Sequence, residues 1–293
     1  MKSIKFSAIG TVWRIDIDGA LVNTQAKEVE RKIKARIELF DATYSRFRDD
    51  SLVAQIAKAA GRYKFPDDAK PLFDIYRQLY DVTKGKVTPL IGGLMVEAGY
   101  DANYSLTPQS QLHTVPAWDD VCEYAHPWLT VKQPLVLDFG AAGKGYLVDI
   151  IGSLLDSEGV ESYMIDAGGD ILRKGTGTVK IGLEHPIRLD EVIGVAELGQ
   201  GSICASSGSR RKWAGLHHIM DPATTHPVRS VVAVWAMANT AMAADIIATA
   251  LFFTEPSDLK KSFTFEFCLV YEDFRFAQSE GFPATLYTND ATS

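Results

Sequence analysis

The sequence predicts an α+β fold, and three observations carry that prediction. Runs of β-type alternation follow one another in series instead of alternating with helices. The helical segments are few and have clear start and stop signals. No repeat of fixed period runs through the chain. With 293 residues there is room for one large domain or two ordinary ones. An apolar fraction of 46% against 23% charged is that of a soluble globular protein with a core to bury.

The opening stretch, MKSIKFSAIGTVWRIDID, alternates apolar and polar and predicts a pair of strands. Next, AKEVERKIKARIELF spaces Val29, Ile33 and Ile37 by four, so it predicts an amphipathic helix, capped near Asn23 or Thr24. After the loop segment YSRFRDDSLVAQI, a second helix is expected over PLFDIYRQLYDVTKG, with Pro71 in its first turn and Gly85 at its stop. Residues 100–130 are polar and weakly patterned and predict a peripheral excursion. PLVLDFG reads as a strand running through Gly140 and Gly143 into the helix KGYLVDIIGSLLDSEG. Short strands are expected in SYMIDAGGDILRKG, TVKIGLEHP and EVIGVAELGQGSICASSG, and a turn-rich loop in HHIMDPATTHPV. The long apolar tract Val231–Phe253 is broken by Asn239, Thr240 and Asp245. It reads as the strand VVAVWAMA followed by a helix, not as a membrane span. FTFEFCLVYED and FRFAQ close the chain as strands, and the polar segment 283–293 is expected to fray.

A formal net charge of −7 disfavours nonspecific binding to nucleic acid, and no basic amphipathic segment suggests a membrane surface. Cys122, Cys204 and Cys268 are odd in number and far apart, which argues against a disulfide framework or zinc knuckle and for a reducing compartment. With neither a signal peptide nor a lipid-bearing cysteine in view, a cytoplasmic location is expected.

Four stretches gather Gly, Asp, Thr, Lys and His where a core does not need them. In LDFGAAGKGY, Asp138 ends the expected strand and Lys144 opens a helix, whose small residues and N-terminus suit a phosphate. The same residues also suit an ordinary strand–helix connection, and the G-K-[ST] spacing of a P-loop is absent. DAGGDI, with Gly168 and Gly169 before Asp170, reads equally as a tight turn. His218 in HHIMDP has the side chain that titrates near neutrality, yet it is also an ordinary loop histidine. Finally, Asp245, Ala248 and Thr249 share one face of an apolar helix. A carboxylate and a hydroxyl there suit a hard cation such as Mg²⁺, while a lone helical Asp is more often solvated or structural.

Taken in order, AIGT, YSRFRDDS, GKVTPLIGGL, LDFGAAGKGYLVD, IDAGGDI, SSGS, HHIMDPATTHPV and TAMAADIIATALF resemble the ApbE-type flavin transferases, from about Ala8 to Phe276. The resemblance implies one T-fold-like α+β domain spanning residues 1–293. It implies a Mg²⁺-dependent FAD:protein FMN transferase that splits the FAD pyrophosphate, attaches FMN to a Thr or Ser of another protein and releases AMP. Residue by residue, it implies metal ligation by Asp245, Thr249 and a backbone oxygen of Ala141. Flavin contacts would come from Ile9, Phe47, Lys86, Val87, Thr88, Asp138, Lys144 and Met220. His218 matches the candidate base, so His218 and Asp245 are the expected catalytic pair. The expected partner is a flavoprotein or redox subunit carrying a flavinylation motif. No such motif occurs in this chain, and a homodimer is left open. Mg²⁺-dependent hydrolysis of FAD and non-catalytic FAD binding are the alternatives. Three positions depart from the family pattern: Ile9 stands for Met, Val87-Thr88 for Phe-Asp, and Thr225 for Gly.

Overall fold

The computed structural model describes residues 2–19, 23–188, 190–209 and 211–287. The side chains of Asn23 and Thr24, expected to cap the first helix, lie outside the described residues, as does the polar end 288–293.

Strands β1 (Lys2–Ala8) and β2 (Thr11–Ile17) form a hairpin whose two turn residues, Ile9 and Gly10, both take positive φ, 42° and 76°. Two left-handed residues match the twist of a two-residue hairpin. Helix α1 (Asn23–Tyr44) buries Ala26, Val29, Ile33, Ile37, Phe40 and Tyr44, one stripe at helical spacing. Next come α2 (Leu52–Ile56), β3 (Gly61–Lys64) and α3 (Lys70–Val82), which ends three residues before the expected stop, Gly85, whose N–H at φ 84° returns to the Tyr80 carbonyl at 2.8 Å. The chain continues through α4 (Gly92–Glu97), α5 (Trp118–Val121), β4 (Cys122–Ala125), β5 (Trp128–Val131) and α6 (Gly143–Ser157). Six strands follow: β6 (Tyr163–Ala167), β7 (Asp170–Lys174), β8 (Val179–Glu184), β9 (Val192–Leu198), β10 (Gly201–Ser207) and β11 (Lys212–Trp213). The last elements are β12 (Leu216–His217), β13 (Val231–Ala238), α7 (Ala241–Ala250), α8 (Pro256–Leu259), β14 (Glu266–Tyr271), β15 (Phe276–Gln278) and β16 (Ala284–Leu286). The class is α+β, as the sequence predicts.

One eight-stranded antiparallel sheet, in the order β1-β2-β6-β7-β10-β13-β14-β15, divides two cores. Strand residues alternate between its faces. Val234, Ala236, Phe267 and Leu269 face α1, α3, α6 and α7. Ala233, Trp235, Cys268 and Val270 face the other way, onto Leu183, Ile193, Ala196 and Leu198 of the small sheet β16-β9-β8. Burial on both faces explains why VVAVWAMA is apolar throughout instead of alternating. Among the described residues, no helix is long and apolar enough to cross a membrane.

Three sequence expectations are corrected. PLVLDFG is not a strand: it joins no ladder, and its backbone donates instead to carbonyls at the ends of helical segments, Leu135 to Ile56, the last residue of α2 (3.2 Å), and Asp138 to Pro89 (2.7 Å). A continuous apolar run was the only signal there, and that signal does not tell a strand from a buried connector. The segment 100–130 is only partly peripheral, since Trp118, Val121, Cys122 and Leu129 enter the main core and β4 and β5 pair. Order also continues past Phe282, because Ala284–Leu286 pairs with β9.

The helices α6 and α7 run antiparallel and cross at Gly145. A Cβ there would run into the Ala241 carbonyl oxygen and lie 2.8 Å from the Asp245 Cβ. Gly145→Val is therefore expected to destabilise the fold by about 3 kcal/mol through overpacking against backbone. Gly93→Ala, at a site with open space, is expected to be neutral or slightly stabilising. Urea midpoints of the two variants check both statements.

Candidate active site

Two cavities of about 360 and 670 Å³ adjoin where β2, β10, α6 and α7 meet the loops that precede α4 and α6. Both are lined by Ile9, Gly10, Tyr100, Asp138, Gly140, Lys144 and Arg211, so they form one continuous cleft. Its combined size is in the range of sites for large cofactors.

The smaller cavity is built on the α6–α7 crossing. Thr240 starts α7 by accepting the Ala243 N–H on its hydroxyl (3.2 Å). One turn into the helix, Asp245 is 4% exposed, and its Oδ2 accepts the Gly145 N–H at 2.9 Å. Burial pushes the Asp245 carboxyl up, against the opposing pull of Lys144, the Gly145 N–H and Arg211. Thr249, one turn later, lines the same cavity, with its hydroxyl 3.4 Å from that of Ser206. Ala141 lines it too, its N–H donating to the Tyr76 hydroxyl at 3.2 Å.

Opposite this floor stand Lys86, Val87, Thr88, His218 and Met220. Lys86 pairs with Asp221 at 3.4 Å. Thr88, where the family pattern has Asp, is buried, and its hydroxyl caps the short turn Pro89–Ile91 by accepting the Leu90 N–H at 3.2 Å. His218 is enclosed, and its Nδ1 is buried without a hydrogen-bond partner. Burial, followed by the nearby Arg211 charge, lowers its pKa to about 3, so the ring is neutral. Lys144 pairs with the fully buried Asp170 of β7, and Lys144 also faces both cavities.

The structure brings together in the smaller cavity every site residue expected from sequence except Phe47. Phe47 lines the larger one, stacked on Tyr104 with ring centroids 5.3 Å apart. Sequence reasoning missed the groups that hold the expected ones. Arg46 forms a buried pair with Asp138 (2.5 Å), donates to the Tyr100 carbonyl (2.7 Å) and lies over the Phe47 ring at 4.2 Å. Burial would raise the Asp138 pKa, but Arg46 and the Gly140 N–H outweigh it and hold the group below the usual carboxylate range. Arg211 and Ser206 were missed as well, and Asp170 was weighed without a role in holding Lys144. The sequence did flag the neighbourhoods of three of these, since Arg46 lies inside YSRF, Asp170 closes DAGGD and Ser206 opens SSGS.

Among the described residues, no group of three or more His, Cys, Asp and Glu side chains gathers as a metal cluster. The expected set is of another kind. One carboxylate, one hydroxyl and one carbonyl-bearing turn share a cavity, an oxygen-only donor set that fits a hard cation retaining waters and substrate oxygens.

A family model described as the ApbE family matches residues 9–265. The FAD:protein FMN transferase of Escherichia coli strain K12 is 23% identical over 286 aligned positions, which cover 90% of this chain and 81% of that protein. The protein of the same name from Vibrio cholerae serotype O1 is 25% identical, covering 83% and 78%. The crystal structure of an ApbE protein from Thermotoga maritima superposes with a TM-score of 0.83 at 24% identity, covering 95% of this chain and 97% of that one. The flavin transferase ApbE from Vibrio cholerae gives a TM-score of 0.78 at 21% identity, covering 95% and 96%. At these identities the superpositions establish the fold.

Two outcomes follow for stability. Thr225, where the family pattern has Gly, sits at φ 59° and closes a turn by donating to the Asp221 carbonyl at 2.9 Å. A β-branched residue is strained there, so Thr225→Gly is expected to stabilise the protein by about 1 kcal/mol in urea unfolding. His218 is neutral when folded but titrates at its ordinary value when unfolded. Between pH 6.5 and about 3 the unfolded state therefore holds more protons, and stability falls as pH falls. The stability difference between His218→Gln and wild type should shift in favour of the variant across that window, and remain constant above pH 7.

Proposed function

The chain belongs to the ApbE family, and on that premise we propose that it is a Mg²⁺-dependent FAD:protein FMN transferase. The observation that supports this best is the cleft itself. It sets Asp245, Thr249 and Ala141 against the cations Lys86, Lys144 and Arg211, with His218 enclosed beside them. In a protein of net charge −7, such a concentration of cations suits the pyrophosphate of a dinucleotide. The larger cavity, walled by Phe47, Tyr100, Tyr104 and Trp213, suits a flat ring system.

In this reading the hydroxyl oxygen of an acceptor Thr or Ser attacks the phosphorus of the FMN half of FAD. The bond from that phosphorus to the bridging oxygen breaks, and AMP leaves with the electron pair. His218 takes the proton from the attacking hydroxyl. A ring lowered to about pKa 3 is a weak base when the cleft holds no ligand. The negative pyrophosphate raises it toward the useful range. Lys144 and Lys86 hold the phosphates and oppose the charge that builds as the bond breaks. Asp245, Thr249 and the Ala141 carbonyl would hold Mg²⁺, which supplies further neutralisation of the pyrophosphate oxygens when bound.

The test combines purified protein, FAD, Mg²⁺ and an acceptor domain carrying a flavinylation motif. Wild type should release AMP and add the mass of one FMN to the acceptor. Asp245→Asn should cut AMP release by about 100-fold or more while circular dichroism shows an intact fold. AMP with free FMN and an unmodified acceptor would favour hydrolysis by water instead. FAD that binds and stays intact would overturn catalysis altogether.

A further inference from the structure

We propose that Asp149 is a positioning residue for Asp245, an inference that rests on the metal-site reading above. Asp149 lies on the second turn of α6, and its two oxygens accept the Ala241 and Met242 N–H groups at 2.8 Å each. These are the first two N–H groups of α7, which no residue inside that helix can satisfy. The bond runs the other way one turn along, where Asp245 of α7 accepts the N–H of Gly145 in the first turn of α6 at 2.9 Å. Two antiparallel helices therefore each lend a carboxylate to the other's N-terminus. Both carboxylates face the positive end of a helix dipole.

The position of this brace explains what it does. The contact between the helices is made through Gly145, where the backbone of α6 lies against the Ala241 carbonyl and the Asp245 Cβ of α7. The three carboxylate–amide bonds across this contact set the register of α7 on α6. Thr240 already caps the Ala243 N–H, so initiating the helix and seating it on α6 are separate tasks. Asp149 performs the second. Asp245 is one turn from the anchored residues, and Thr249 two, so a shift of the anchor moves both away from Ala141. Asp149 lines neither cavity of the cleft.

The experiment compares Asp149→Asn, Asp149→Glu and Thr240→Ala in the full chain. Mg²⁺ binding is read by titration calorimetry, and AMP release gives kcat and the KM for FAD. Asp149→Asn loses the charge and one of two acceptors. It is expected to raise the Mg²⁺ concentration for half-saturation by on the order of 10-fold and to lower kcat, with the KM for FAD nearly unchanged. Asp149→Glu, which keeps the carboxylate, should recover part of that loss. Thr240→Ala should lower the unfolding midpoint comparably while keeping wild-type Mg²⁺ binding. If Asp149→Asn binds Mg²⁺ as wild type does, or if Thr240→Ala weakens it equally, the proposal fails and Asp149 is a stability cap alone. If Asp149→Asn does not fold, the Glu variant carries the test, since its longer side chain must displace the same anchor. Should wild type itself bind no Mg²⁺, the proposed function fails together with this inference, whereas wild-type Mg²⁺ binding in the Asn variant overturns only the positioning role.

Discussion

The structure depends on one close approach. The helices α6 and α7 cross so tightly at Gly145 that a single methyl group there would overlap the Ala241 carbonyl. This contact puts the N-terminal turn of α6, which carries Lys144, beside the carboxylate of Asp245. It also buries an aspartate on a helix that is otherwise apolar, with Ala244, Ile246, Ile247 and Ala248 all packed away. A buried carboxylate is costly unless it is hydrogen-bonded and faces positive charge. The N-terminus of α6 and Lys144 supply both needs. The glycine, the helix crossing and the acid are thus one solution rather than three features.

The same economy runs through the rest of the cleft. Asp138 is held by Arg46 and the Gly140 N–H, and Asp170 by Lys144. Arg46 in turn ties Asp138 to the Tyr100 carbonyl and lies against Phe47. Lys144, Asp138, Arg46, Phe47 and Tyr100 line the cleft, while Asp170 sits behind it. Polar groups fixed in this way need little reorganisation when a charged ligand arrives, which is the condition under which fixed dipoles and charges stabilise a transition state best.

How much of this the sequence shows depends on whether a signal is local. The hairpin β1–β2, the stripe of α1 and the strand-then-helix reading of Val231–Phe253 rest on period and caps, which short windows contain. Asp245 stood out because an ionised group inside an apolar helix contradicts its surroundings. The strand expected in PLVLDFG was an error of the same origin, since local hydrophobicity reports burial and not whether a neighbour offers a ladder. Ala284–Leu286 became a strand only because β9 presents a free edge, which lies 88 to 92 positions earlier in the chain. The Arg46–Asp138 pair joins residues 92 positions apart, and the Asp149–Ala241 bond joins residues equally distant. No window of sequence contains such partners. The ordered set of motifs marked their neighbourhoods without saying who touches whom. Thr88 illustrates this limit. From sequence it reads as a ligand-facing position that lost a charge. In the structure its hydroxyl is already engaged in capping the turn that leads into α4.

The two groups expected to do chemistry are driven toward neutrality by the same dry surroundings. Burial raises the Asp245 carboxyl and lowers the His218 imidazole. Each shift opposes its expected role, since a metal ligand should be anionic and a base should accept protons readily. On the proposed reading, a substrate arriving as an anion with a counter-cation would relieve both oppositions. A cation beside Asp245 favours the carboxylate, and phosphate charge beside His218 favours the imidazolium. Lys144 belongs to both effects, because it lowers the Asp245 pKa and the His218 pKa together. On the proposed reading, a phosphate that neutralised Lys144 would return proton affinity to His218, and a cation held by Asp245 would replace the support that Lys144 gives it. On that reading the buried acid, the buried imidazole and the lysine that acts on both would complete one another only with a ligand that carries both signs of charge.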